Sequence, residues 1–205
     1  MKDKVDLRKR ILEEAKKLFA QDGYNATSIR KIAAKLDISP TTIYLYYKDK
    51  SDIVYALHQE GFNMMKEMFF ALEYVEDPFE RLKAIGKSYI KFAISHPDFY
   101  ELMFVTKEPM EFLDHHCMGG QWEEGDDVFS FLLQTVIACQ SKGYFLGDDS
   151  LTVALQAWTT VHGLCSIYIS GHLVKLLSEI SAKKNTEQII DDVYRLYTHY
   201  MESTK

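Results

Sequence analysis

Residues 28–50 read SIRKIAAKLDISPTTIYLYYKDK, and the fold of the chain is decided there. Ile29, Ile32, Ala33 and Leu36 recur at i, i+3, i+4 and i+7, which lays apolar side chains along one stripe of an α-helix. Arg30, Lys31 and Lys35 fall on the other face. Asp37-Ile38-Ser39 interrupts that helix, and Ser39 can cap a second one with Pro40 at its first position, where a missing N–H costs nothing. Two helices joined by such a short turn form a helix-turn-helix. The second helix is predicted from Pro40 to about Tyr47, with Ile43 and Tyr47 facing inward and Pro40, Thr41, Thr42, Tyr44 and Tyr46 facing outward.

The outward face has the chemistry of a major-groove reader. Threonine hydroxyls and methyls meet base edges and the thymine methyl, proline offers a rigid apolar contact, and tyrosine hydroxyls reach phosphates. Lys48 and Lys50 come next, at the start of another helix, and supply sequence-independent attraction to a DNA backbone. The same spacing also suits a small three-helix core with a solvated basic face.

GYNATSIRKIAAKLDISPTTIYLYYKDKSDIV, from Gly23 to Val54, resembles the DNA-binding domain of the TetR family of bacterial regulators, in its glycine-aromatic-x-x-Thr entry and its Tyr-x-Tyr-Tyr-x-x-Lys exit. The resemblance covers roughly the first quarter of the chain. It implies that Arg30, Pro40, Thr41, Thr42 and Tyr46 read bases and that Tyr44, Lys48 and Lys50 hold phosphates. It also implies a DNA-binding domain over 1–50 and an all-helical ligand-sensing and dimerisation domain over 51–205. Asp37 departs from the pattern, because family members commonly place a glycine there, and Asp is among the residues that tolerate the tight conformation the turn needs.

The 205 residues are 47% hydrophobic with only four prolines and ten glycines, which points to an all-α globular chain of about nine helices. Net charge is −6, but residues 1–52 carry 12 Lys and Arg against 8 Asp and Glu, whereas the remainder carries 12 against 22. The basic end is therefore the end with the helix-turn-helix, and the acidic remainder repels DNA. Cys117, Cys139 and Cys165 are an odd, widely spaced set and read as free thiols of a reducing cytoplasm. The charged start MKDKVDLRKR lacks an apolar segment after it, and the run Leu151 to Ile169 is broken by Gln156, Thr159, Thr160, His162 and Ser166, so neither secretion nor a membrane span is expected.

Periodicity places a first helix over Leu7 to Asp22, ended by Gly23, and a long fourth helix from Ser51 to about Tyr74. The fourth is long enough to act as a lever between the two domains. A fifth starts at the Asp77-Pro78 cap, a short sixth opens at Pro97, and 106–126 reads as a loop with a helical turn near Met110 to His115. A seventh spans Asp126 to Lys142, an eighth Ser150 to about Ser178, and a ninth Thr186 to Tyr200. The ninth is apolar on more than one face. Outward positions such as Ile190 and Tyr197 are thus expected to meet a second copy, giving a homodimer through the last two long helices.

Inside the eighth helix, AWTTVHGLCSIYISG resembles the Trp-x-x-x-His-Gly helix of one branch of TetR-type sensing domains. Trp158 and His162 are i, i+4 and project from one face. They line an effector pocket or order the core. Met65, Tyr89, Phe92, Phe104, Phe131, Trp158 and His162 are the expected lining of a mostly apolar cavity, with Tyr89 and His162 as polar anchors. No cofactor is called for. The adjacent His115-His116-Cys117 point in different directions on a helix and lack a second ligand pair, so no metal site is expected.

The function expected is a ligand-responsive regulator, most often a repressor among proteins the chain resembles, that grips a near-palindromic DNA operator as a homodimer and lets go when a small apolar effector binds. Two other readings are an all-helical carrier or sensor of a hydrophobic ligand whose N-terminal bundle docks protein, and an enzyme using His162 with an acidic residue or Cys165. No oxyanion donor set or activated nucleophile can be read for the latter.

Overall fold

The computed structural model describes residues 2–107, 109, 123–180 and 184–205, with ten helices and no strand among them. They are α1 (Lys2–Asp22), α2 (Ile29–Lys35), α3 (Pro40–Tyr44), α4 (Lys50–Phe70), α5 (Pro78–Ser95), α6 (Pro97–Phe104), α7 (Glu123–Gln140), α8 (Ser150–Ile169), α9 (His172–Glu179) and α10 (Thr186–Glu202). The all-α expectation holds. The expected turn near Met110 to His115 and the His115-His116-Cys117 run lie outside the described residues.

Short polar side chains start five of the helices, and left-handed residues follow α1, α2, α7 and α8. Ser28, Ser39, Asp77, Asp149 and Asn185 each accept a backbone N–H of the first turn, and Asn185 with Gln188 makes a reciprocal capping box. At the end of α2 the Asp37 N–H reaches the Ala34 carbonyl and the Ile38 N–H reaches the Ala33 carbonyl, with Asp37 at φ 54°. That is a Schellman stop in which aspartate takes the place glycine usually fills.

Three boundaries differ from the sequence expectation. The regular part of α3 ends at Tyr44, although Tyr46 and Tyr47 still donate to the Ile43 carbonyl and prolong the turn. α4 stops at Phe70, after which Leu72 and Glu73 donate to carbonyls three residues back. The expected single eighth helix is two. Gly171 at φ 78° breaks it, and α9 starts at His172.

The described residues group into two compact units. One combines residues 1–63 with those of 98–123, hence α1, α2, α3, α6 and the first part of α4. Its core holds Ile11, Ala15, Leu18, Phe19, Ile32, Ile43, Tyr47, Ile53, Val54 and Leu57, with Phe62, Phe99 and Met103 behind them. The other combines 64–97 with 124–205. Its core is built on Met65, Phe69, Phe79, Leu82, Tyr89, Phe92, Val136, Val153, Val161, Ile190 and Tyr194, with Phe79 and Tyr144 stacked at 4.5 Å.

One expectation is overturned here. Ile190 is only 2% exposed and packs inside its own unit, and Tyr197, two turns further on, lies half-buried on the same side. The outward apolar face of α10 is instead Val193, Leu196 and Tyr200, the last two 53% and 63% exposed.

Candidate functional site

Two constellations carry chemistry, one in each unit. In the first, α3 is held by Ile43 and Tyr47, both buried, and started by Ser39, whose Oγ accepts from the Thr42 N–H at 3.2 Å. With those anchored inward, Thr41, Tyr44, Leu45 and Lys48 stand at the surface, and Pro40, Thr42 and Tyr46 are half-buried beside them. Arg30 is exposed on α2. The Thr42 hydroxyl also lies 2.9 Å from Ser39 Oγ, so it reaches outward with a preset orientation.

Leu45 is not among the residues that sequence reasoning selects, yet it is 79% exposed, against 55% for Tyr44. A bare leucine at the end of a short polar helix is an apolar probe suited to a thymine methyl. Its spacing of four from Thr41 was the available signal.

Lys50 differs from the other candidate phosphate ligands. Its Nζ donates to the Tyr24 carbonyl at 2.7 Å and to the Thr27 carbonyl at 3.0 Å, and sits 3.8 Å above the Tyr24 ring. Arg8, whose charge alone would suit a flanking phosphate, has its guanidinium 5.6 Å over the buried Tyr47 ring. Burial raises the Tyr47 phenol above its usual range, with Arg8 opposing that rise.

In the second unit, α5 and α8 bring together Tyr89, Trp158 and His162. Tyr89 Oη lies 2.8 Å from His162 Nδ1, and Trp158 Nε1 donates to Tyr89 Oη at 3.4 Å. An indole N–H can only donate, so the Tyr89 oxygen accepts from Trp158, while the direction of its bond to His162 Nδ1 follows the imidazole tautomer. Burial lowers the His162 pKa, which keeps the ring neutral near pH 7. Trp158 packs on His162 at 5.9 Å and on Phe129 at 6.0 Å.

The remaining expected lining residues distribute differently. Met65 and Phe92 are buried in the same unit, and Phe131 lies between Phe69 and Phe70 at 6.4 and 5.4 Å. Phe104 belongs to the other unit, against Phe62 and Tyr100 at 5.5 and 5.2 Å. A separate groove of about 790 Å³ runs between α5 and α10, walled by Lys87 and Lys91 on one side and Glu187 and Asp191 on the other.

The two thiols among the described residues do not form a nucleophilic site. Burial pushes both Cys139 and Cys165 up to about 12, so neither supplies thiolate near neutral pH. Among the described residues no three His, Cys, Asp or Glu side chains gather as a metal site. No helix among them is long and apolar enough to cross a membrane.

Two family models match the chain. Residues 11–57 match the family model described as bacterial regulatory proteins, tetR family, and residues 82–193 match the tetracyclin repressor-like C-terminal domain. An HTH-type transcriptional regulator of Staphylococcus aureus is 38% identical over 68 residues, 33% of this chain and 37% of its own length. Another from the same species is 40% identical over 63 residues, 31% of this chain and 34% of its own. These matches thus span little more than a third of the relatives. Among solved structures, a tetR-family regulatory protein from Rhodococcus is similar with a TM-score of 0.72 at 20% identity, covering 95% of this chain and 96% of that one. The fatty acid degradation regulator FadR from Bacillus halodurans is similar with a TM-score of 0.69 at 19% identity, covering 92% and 93%.

Proposed function

The chain belongs to the TetR family of bacterial DNA-binding transcriptional regulators, which are not enzymes, and on that premise we propose that it is a ligand-responsive repressor. It grips a near-palindromic operator as a homodimer, and a small, largely apolar effector releases it. Residues 1–50 do the gripping and 51–205 the sensing and pairing. The observation that carries the reading is the face of α3, where two buried anchors leave Thr41, Thr42, Tyr44, Leu45 and Lys48 turned outward on a basic end of the chain. Two such helices in a dimer meet successive major grooves about 34 Å apart.

Pairing is assigned to α8 and α10, on the exposed Leu151, Leu155 and Ile167 and on Val193, Leu196 and Tyr200. Isolated exposed leucines are common, but six exposed apolar side chains on two helices are what a pairing surface would cover. The effector is assigned to the neighbourhood of Tyr89, Trp158 and His162, with Met65, Phe92 and Phe131 as apolar lining and Phe104 left out because it packs in the other unit. α4 carries residues of both units on one unbroken helix, so a shift at its far end is felt at its start. An effector preferring a conformer of the wrong groove spacing lowers DNA affinity by linkage, typically by about 1–3 kcal/mol.

Selecting bound fragments from genomic DNA with purified protein tests this. A short near-palindrome should emerge, bound with steep salt dependence and released by one member of a panel of apolar compounds. Fatty acids belong on that panel, since one similar fold is a fatty acid degradation regulator. Recovery of no enriched sequence at moderate salt would overturn the reading.

A further inference from the structure

We propose that Leu45 is a specificity-determining residue that reads the C5-methyl group of a thymine, so that each operator half-site holds a thymine at the base facing it. The proposal rests on the DNA-binding reading above and narrows it from double-stranded DNA to a class of sequence.

Ser39 to Tyr47 read SPTTIYLYY, a stretch with no Arg, Lys, Asn, Gln, Asp or Glu. Bidentate recognition of guanine takes Arg or Lys, that of adenine takes Asn or Gln, and the cytosine amino group is met by Glu or Asp. None of these pairings is open to α3. Its outward face offers single hydroxyls, rings and methyl groups, and the Thr42 hydroxyl is already engaged 2.9 Å from Ser39 Oγ. The thymine methyl is the feature of the major groove that an apolar side chain identifies. Guanine is left to Arg30, exposed on α2.

Helical phase puts Leu45 on the midline of that face. Ile43 and Tyr47, both buried, fix the inward direction. At about 100° per residue Leu45, two positions from each of them, points the other way, and Thr41, four positions earlier, stands in line with it. Both are exposed, Leu45 to 79%, with Tyr44 and Tyr46 on either side. The backbone beneath Leu45 is held in helical geometry. Its N–H donates to the Thr42 carbonyl at 3.3 Å, its φ is −74°, and the next two N–H groups reach the Ile43 carbonyl at 2.9 and 3.1 Å. An exposed leucine is ordinary on a protein surface. This one is carried on a fixed turn between two core anchors, in line with a threonine whose side chain also ends in a methyl group.

Thymine and uracil pair alike and differ by that methyl group alone, so deoxyuridine isolates it. The duplex recovered by wild-type protein is remade with each symmetry-related pair of thymines replaced by deoxyuridine in turn. Wild type, Leu45→Ala and Thr41→Ser are titrated onto every duplex by fluorescence anisotropy. A buried methyl group is worth roughly fourfold in affinity, hence about fifteenfold for a pair in a two-fold site. At one thymine pair wild type should lose about that factor, while Leu45→Ala loses less than about threefold. On the all-thymine duplex Leu45→Ala should bind roughly tenfold or more weakly than wild type, with unchanged helicity, Tm and salt slope, because no phosphate contact is lost. Thr41→Ser keeps its hydroxyl and loses its methyl, and it should retain the wild-type penalty at the pair that Leu45 reads. Wild-type binding that is indifferent to deoxyuridine at every pair would overturn the proposal, as would a Leu45→Ala protein that keeps every wild-type penalty. Loss of the penalty at that pair in Thr41→Ser would assign the methyl to Thr41 and overturn it too. Failure of the DNA-binding reading shows differently, as no duplex recovered by wild type, and it takes this proposal with it.

Discussion

Gly86→Ala ought to destabilise the protein although it replaces a helix-weakening residue by the best helix former. On an exposed helix the exchange stabilises by about 1 kcal/mol. At position 86 the added Cβ would lie 2.3 Å from Tyr194 Oη and 2.8 Å from its Cζ. The tyrosine has little room to yield, because it is buried and its hydroxyl donates to the Lys83 carbonyl at 2.7 Å. Moving it forfeits a hydrogen bond worth about 1 kcal/mol and overpacks the α5–α10 contact at about 1–3 kcal/mol. Net of helix propensity, the loss is about 1–3 kcal/mol. Urea unfolding at one fixed protein concentration reads this as a midpoint lowered by roughly 0.5–1.5 M at unchanged m. In a Tyr194→Ala background the same exchange should become stabilising, as nothing then opposes the methyl group. A Gly86→Ala protein as stable as wild type in the presence of Tyr194 would refute the packing argument.

Burial holds His58 down from 6.5 to about 4, so between those values the unfolded chain takes up a proton that the folded one refuses. Stability is therefore full above pH 6.5 and falls by about 3 kcal/mol as pH drops to 4, and His58→Leu should flatten that part of the curve measured by denaturant titration. Leu196→Glu and Tyr200→Glu should sediment as folded monomers, whereas Ile190→Glu should lower Tm steeply, by burying a charge; a dimeric Leu196→Glu/Tyr200→Glu protein would move the interface elsewhere. His162→Ala should bind operator as wild type does yet need at least fivefold more effector for half-release, while a lower Tm with an unaltered effector response would assign His162 to the core.

Much of this architecture is written in local signals. The stripe Ile29, Ile32, Ala33, Leu36, the caps Ser39 and Asp77, and the stops at Gly23 and Gly143 are short-range features, and the structure uses each of them. The features that escaped depend on partners distant in the chain. Gly163 and Gly171 look alike in sequence, yet Gly163 stays helical while Gly171 turns left-handed and separates α8 from α9. Ile190 and Tyr197 belong to an apolar helix whose phase is set by α5, through contacts such as Tyr194 with Lys83, 111 residues away. Trp158 and His162 announce themselves by spacing. Their bonds to Tyr89 needed the fold. Lys50 was read by its charge, and only the positions of two carbonyls reveal its engagement.

The central claim is that the outward face of α3 grips DNA. Binding of Tyr44→Ala to the genome-selected duplex, measured by fluorescence anisotropy beside circular dichroism and sedimentation, tests it most directly. Tyr44 is 55% exposed and contributes nothing to the core, so its removal should leave helicity and oligomeric state unchanged and weaken operator binding at least tenfold. Wild-type affinity in the Tyr44→Ala protein would contradict the account.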